Sequence, residues 1–153
     1  MSFIVKNAFP ILGADTKIEG FQSKPTAIGS AVKVIRQHSW EERNLEATAT
    51  SFTIHIANDN YQITAVEAIF STASSSGTLD VEVASDGTAV GSGTAVLTAP
   101  LSLAGTANTK VSGTLSSNVD DLQVAAGQHV NVILAGTLTS LANCCVTIHC
   151  VRV

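Results

Sequence analysis

The stretch Ser51-Phe52-Thr53-Ile54-His55-Ile56-Ala57, closed by Asn58-Asp59-Asn60, decides the fold class. Phe52, Ile54 and Ile56 alternate with Thr53, His55 and Ala57. A period of two is that of a strand with one buried face, and Asn-Asp-Asn is turn chemistry. The cadence continues downstream. Tyr61 to Ser71 reads as the next strand, with Ile63 in phase with Ala65 and Ile69, although Val66 and Phe70 blur the alternation. Leu79, Val81 and Val83 alternate with Asp80, Glu82 and Ala84 before the turn Ser85-Asp86-Gly87. Val90, Val96, Leu97, Leu101 and Leu103 fall in short extended pieces broken by Gly91, Gly93 and Pro100. Val111 with Leu115, Leu122 with Val124, the series Val130, Val132, Leu134, and the series Val146, Ile148, Cys150 complete the set. This predicts about eight strands at roughly ten-residue spacing and no long helix. The expected fold is all-β, an antiparallel β-sandwich or jelly roll over residues 49–153.

Turn chemistry supports that reading. Six of the eleven Gly are followed by Thr, at 77–78, 87–88, 93–94, 105–106, 113–114 and 136–137. The expectation is that Gly supplies the positive φ of a turn and Thr opens the next strand.

Upstream of Ser51 the pattern is lost. Residues 1–48 have no sustained period and are punctuated by Pro10, Gly13, Gly20, Pro25 and Gly29. They read as an extended N-terminal arm. Residues 31–36 fit a short strand, and Ser39-Trp40-Glu41-Glu42 matches a capping box before a helical turn through Leu45. Trp40 needs a surface to pack on, and packing within the chain is the favoured reading. The arm holds six of the eight basic residues, Lys6, Lys17, Lys24, Lys33, Arg36 and Arg43.

Composition narrows the function classes. The chain has 153 residues, 45% of them hydrophobic and only 13% charged, with 16 Ser and 17 Thr. Its outside is built from hydroxyls rather than ions. A formal net charge of -4 and a pI near 5.4 argue against electrostatic binding to nucleic acid or to a membrane surface. No apolar run is long enough for a membrane helix. The opening Met1-Ser2-Phe3-Ile4-Val5-Lys6 does not read as a secretory leader. The three cysteines, Cys144, Cys145 and Cys150, fit a reducing compartment. On a strand, Cys144 and Cys150 share a face but lie too far apart for a disulfide, so they read as small core residues.

Catalytic constellations are missing from the pattern. His38, His55, His129 and His149 show no metal-binding spacing, although His55 and His149 lie mid-strand and are candidates to meet across a sheet. Asp80, Glu82 and Asp86 read as solvated strand and turn acids, and Asp120 and Asp121 would face opposite ways on an extended chain. Gly91-Ser92-Gly93 is a turn rather than a nucleophile elbow. The expectation is a non-enzymatic protein with no cofactor and no metal.

Residues 90–150 add a resemblance. Val96-Leu97-Thr98-Ala99-Pro100-Leu101-Ser102-Leu103, then Asn108-Thr109-Lys110-Val111, then Leu122 to Val132 resemble the small β-sandwich modules of tailed-bacteriophage virion proteins, especially capsid decoration (cement) and head-fibre proteins. The last stretch is similar to the Leu-x-Val-x-x-Gly-Asp-x-Val-x-Val element of many trimeric jelly rolls. Gln128 stands where Asp is usual. The resemblance implies a structural virion protein on the capsid surface, made in the host cytoplasm. Its implied partners are the major capsid protein and two further copies in a homotrimer. In that reading Lys6, Lys17, Lys24, Lys33, Arg36, Trp40 and Arg43 are the partner-binding residues of the arm. The alternative is a tail- or head-fibre module that recognises host glycans, with Asn58-Asp59-Asn60-Tyr61 as the candidate loop.

Overall fold

The structure is a computed structural model that describes residues 37–153. Ten strands form two antiparallel sheets. The strands are β1 (Gln37–Leu45), β2 (Phe52–Ile56), β3 (Tyr61–Ile69), β4 (Thr78–Ala84), β5 (Thr94–Ala95), β6 (Leu101–Ser102), β7 (Val111–Ser112), β8 (Gln123–Val124), β9 (His129–Ala135) and β10 (Cys144–Arg152). One sheet has the order β1-β10-β3, with β7 and β8 both on the far side of β3. The other has the order β2-β9-β4, with β5 and β6 both on the far side of β4. Each of these short pairs occupies one strand position that the chain interrupts. Successive positions then alternate between the sheets except where β4 passes to its neighbour β5. That is the strand order of a jelly roll, and the expected all-β sandwich is what the chain adopts.

The core lies between the two inner faces. Leu79 and Val81 of β4, Val130 and Val132 of β9, and Val146 and Ile148 of β10 are completely buried there. Their alternation follows the sequence pattern strictly. Two strands depart from it, each at a β-bulge. In β3 the register shifts opposite His149 and Cys150. Tyr61 and Ile63 therefore point inward before the bulge, and Val66, Ala68 and Phe70 after it, while Ile69 is exposed. In β2 the register shifts between Thr53 and His55. His55 and not Ile56 then faces the other sheet, and Ile56 is left 69% exposed. An extra residue reverses the face of everything beyond it.

The N-terminal boundary moves. β1 falls within residues 1–48, and the helical turn expected after Ser39 is a strand instead. Its residues Gln37 to Glu42 pair continuously with β10 from Val151 to Val146. Tertiary pairing with an apolar strand outweighs a local capping preference. Residues 1–36, including the expected strand at 31–36 and Lys6, Lys17, Lys24, Lys33 and Arg36, lie outside the described residues.

Glycine serves two purposes here. Gly87 and Gly136 of the Gly-Thr pairs take positive φ, 80° and 73°. Gly77, Gly93 and Gly113 do not, and they are there for space. A Cβ on Gly93 would lie 2.7 Å from the Val83 carbonyl oxygen, and one on Gly113 would lie 2.8 Å from the Leu97 side chain.

The two long edges of the sandwich are closed differently. At the far edge the chain itself crosses between sheets. Val96 donates its N–H to Val81 of β4, and its carbonyl accepts from Ser116, while Thr98 donates to Thr114. Gly113 in turn donates to Val66 of β3. At the near edge β1 and β2 share no such backbone bonds among the described residues. Side chains close that seam.

Candidate interaction surface

Trp40 sits on β1 and is half-buried. Its indole stacks on the His55 ring with centroids 4.3 Å apart and planes 15° from parallel. It also meets Tyr61 edge-on at 5.3 Å, and His38 meets the same tyrosine edge-on at 5.6 Å. Trp40 therefore packs within the chain, on rings from β2 and β3. Such pairs add to the area they bury. The bulge in β2 is what delivers His55 to this place. Its Nε2 is buried without a hydrogen-bond partner, and burial holds its pKa below the usual imidazole value. His38, Tyr61 and His55 carry the cluster, and the sequence pattern did not bring them together.

Arg43 lies further along β1 and points to solvent, with its guanidinium 2.6 Å from Glu41. His149 is on the outer face of β10, far from the inward-facing His55, so the two do not meet across a sheet. It stands instead 3.5 Å from Glu67, which also holds Lys110 at 2.6 Å. The Lys110 ammonium, more than His149, keeps the Glu67 carboxyl below its ordinary pKa.

The loop read as a glycan candidate has committed its polar groups internally. Tyr61 donates its hydroxyl to Asn58 Oδ1 at 2.8 Å. Asn60 donates its N–H to Asp59 Oδ1 and accepts from the Ala126 N–H. Asp59 also pairs with Arg152.

The acids of β4 are not the solvated groups the period implied. Glu82 points to the outer face of its sheet but is only 5% exposed, because the 85–93 loop folds over it. Its carboxylate accepts from the Gly91 N–H at 2.7 Å, the Gly93 N–H at 2.8 Å and Asn131 Nδ2 at 2.8 Å. Asn131, wholly buried, accepts in turn from the Thr53 hydroxyl and lies 3.0 Å from His129 Nδ1. Burial raises the Glu82 pKa, but the bonds from Asn131, Gly91 and Gly93 outweigh it, and the value lies below the ordinary one. Asp80, with less support, is raised by burial. Asp120 and Asp121 lie in a 3-10 turn (Val119–Leu122), not on an extended chain, and Asp121 accepts from Ser116 and Asn118. Among the described residues no three His, Cys, Asp or Glu side chains converge as metal ligands. Cys144 and Cys150 are buried in the core, with thiols pushed up to about 11 by burial, and all three cysteines are free.

The chain matches no known protein family and no curated protein. Among solved structures it is similar to a chain of the cyanophage Pam1 capsid asymmetric unit. The identity is 11%, over 78% of this chain and 86% of that one, with a TM-score of 0.43. It is similar to a chain of the infectious bursal disease virus Gx strain at 14% identity, over 77% of this chain and 33% of that one, with a TM-score of 0.36. A third is a chain from the disulfide-linked pili of Bacillus endospore appendages, at 18% identity, over 75% of this chain and 86% of that one, with a TM-score of 0.29. Two of these three are virus structures, and all three are at low identity.

Proposed function

We propose that this chain is a structural virion protein, a capsid decoration protein that binds between capsomers and stabilises a phage head as a homotrimer. The observation that carries this reading is the jelly-roll order of a sandwich whose outer loops are pinned by buried polar bonds, Glu82 above all. A rigid module with a neutral, hydroxyl-rich surface suits the covering of a joint between subunits. The cadence of residues 90–150 points the same way. In this reading the basic residues Lys6, Lys17, Lys24, Lys33, Arg36 and Arg43 pair with an acidic capsid surface, and Trp40 serves as the internal anchor of β1, the strand that carries Arg43. Binding only to the assembled shell would shift the shell's stability by mass action.

The test is co-sedimentation of the purified protein with undecorated phage capsids. Saturable binding at a fixed ratio, with a raised capsid disruption temperature, is the expected result. Light scattering on the free protein should give about three times 15.7 kDa. Failure to bind capsids at any concentration, together with retention on host glycans, would overturn the reading in favour of a fibre module.

A further inference from the structure

The near edge of the sandwich is held by rings rather than by backbone, and one of those rings is an imidazole with a buried nitrogen. Nε2 of His55 is buried and has no acceptor. A neutral ring protonated on Nδ1 places only a lone pair there. Protonation would place a positively charged N–H in the same spot, where nothing accepts it. The titratable and charged groups that take the inward face on the elements packed around it are His38 and Glu42 on β1, Tyr61 on β3 and Cys150 on β10, while Glu41 and Arg43 of β1, Glu67 of β3 and His129 of β9 take the outer faces. None of them bonds to His55, and His129 is occupied with Asn131 and the Ser85 carbonyl.

We propose that His55 makes the β1–β2 seam an acid-sensitive device: protonation of its ring parts β1 from β2 at this edge while the rest of the sandwich stays folded. The far edge, stitched by the backbone bonds of Val96, Thr98 and Ser116, has no such group in its seam and stays shut. Attraction between a charged imidazole and the Trp40 face opposes the opening, but burial wins, since it holds the His55 pKa below its ordinary value. The sign follows. The opened state binds the proton more readily, so the seam is fully stable above a pH of about 6.5 and weakens as pH falls through the lower, closed-state value.

Trp40 is the only tryptophan, so its emission reports on this seam alone. The full chain is titrated from pH 8 to pH 4 with emission, far-UV circular dichroism and amide exchange followed together. The expected result is one transition below pH 6.5, in which Trp40 emission shifts to the red and the protection factors of the Trp40 and His55 amides, corrected for the intrinsic pH dependence of exchange, fall at least tenfold. The dichroism should stay constant. His55→Phe should abolish the transition and His38→Gln should keep it. Should His55→Phe fail to fold, an NMR titration of the native His55 ring replaces it, and a pKa above 6.5 would overturn the proposal. Quenching without a red shift and without loss of protection would also overturn it.

Discussion

Truncating Glu82 should unpin the 85–93 loop and cost the sandwich a large part of its stability. The magnitude follows from what the carboxylate holds. Asn131 Nδ2 is wholly buried and has Glu82 as its acceptor, so Glu82→Ala strands it at about 1–3 kcal/mol. The Gly91 and Gly93 amides regain water as the loop lifts, and each loses only the net worth of a bond to a charged acceptor, about 1.5–3 kcal/mol. Removing a buried charge offsets part of this, and the expected loss is about 3 kcal/mol. Glu82→Gln should lose less, since its one oxygen still accepts but its amide nitrogen meets an N–H donor. Urea unfolding with an unchanged m-value measures both. A cycle with Asn131→Ala should be strongly non-additive, because each single change orphans the same bond. Acid provides a second handle. The folded-state pKa of Glu82 lies below its ordinary value, so its contribution is complete above a pH of about 4.5 and is lost as pH falls through the folded value. Stability should therefore fall more steeply below pH 5 in the parent than in Glu82→Gln. A loss under about 1 kcal/mol for Glu82→Ala, or an additive cycle, would refute the reasoning.

Three further outcomes are expected. Gly136→Ala should destabilise by more than about 1 kcal/mol in thermal unfolding, because φ is 73° and its Cβ would collide with the Ser76 carbonyl oxygen. Leu79→Ala should cost about 2–5 kcal/mol in urea, the price of a cavity at a fully buried site. In native protein at pH 8, a thiol reagent should label Cys145 first. Cys144 and Cys150, with pKa values of about 11, hold only about 0.1% thiolate and should react after unfolding.

What the sequence disclosed depended on whether strand pairing is continuous. β4, β9 and β10 carry no extra residue themselves, since the bulges lie in their partners, and their inward faces could be read directly. β2 and β3 could not, since a bulge is set by the partner strand and leaves the local composition unchanged. Val66 and Phe70 out of phase with Ile63 were its trace in β3. In β2 there was none, so Ile56 was assigned to the core and His55 to the outside, the reverse of their places. Glu82 and Asn131 were legible as outward-facing but not as buried, because a period says which face a residue takes and not which loop returns to cover it. Trp40 needed a surface by its chemistry alone. That the surface would be His55 and Tyr61 depended on β1 being a strand, which its exposed, charged sequence did not suggest.

Among the described residues, the first strand, β1, has the last strand, β10, as its one neighbour in its sheet. A chain emerging from the ribosome must therefore carry β1 unpaired while everything between is made. At roughly 5–20 residues per second the wait is on the order of 5–20 s. Pairings that span so much of the sequence also close slowly. Through that interval β1 waits for its partner among the described strands. The polar run Glu41-Glu42-Arg43 keeps that waiting strand from pairing with its like on neighbouring nascent chains, as charge does on any exposed edge.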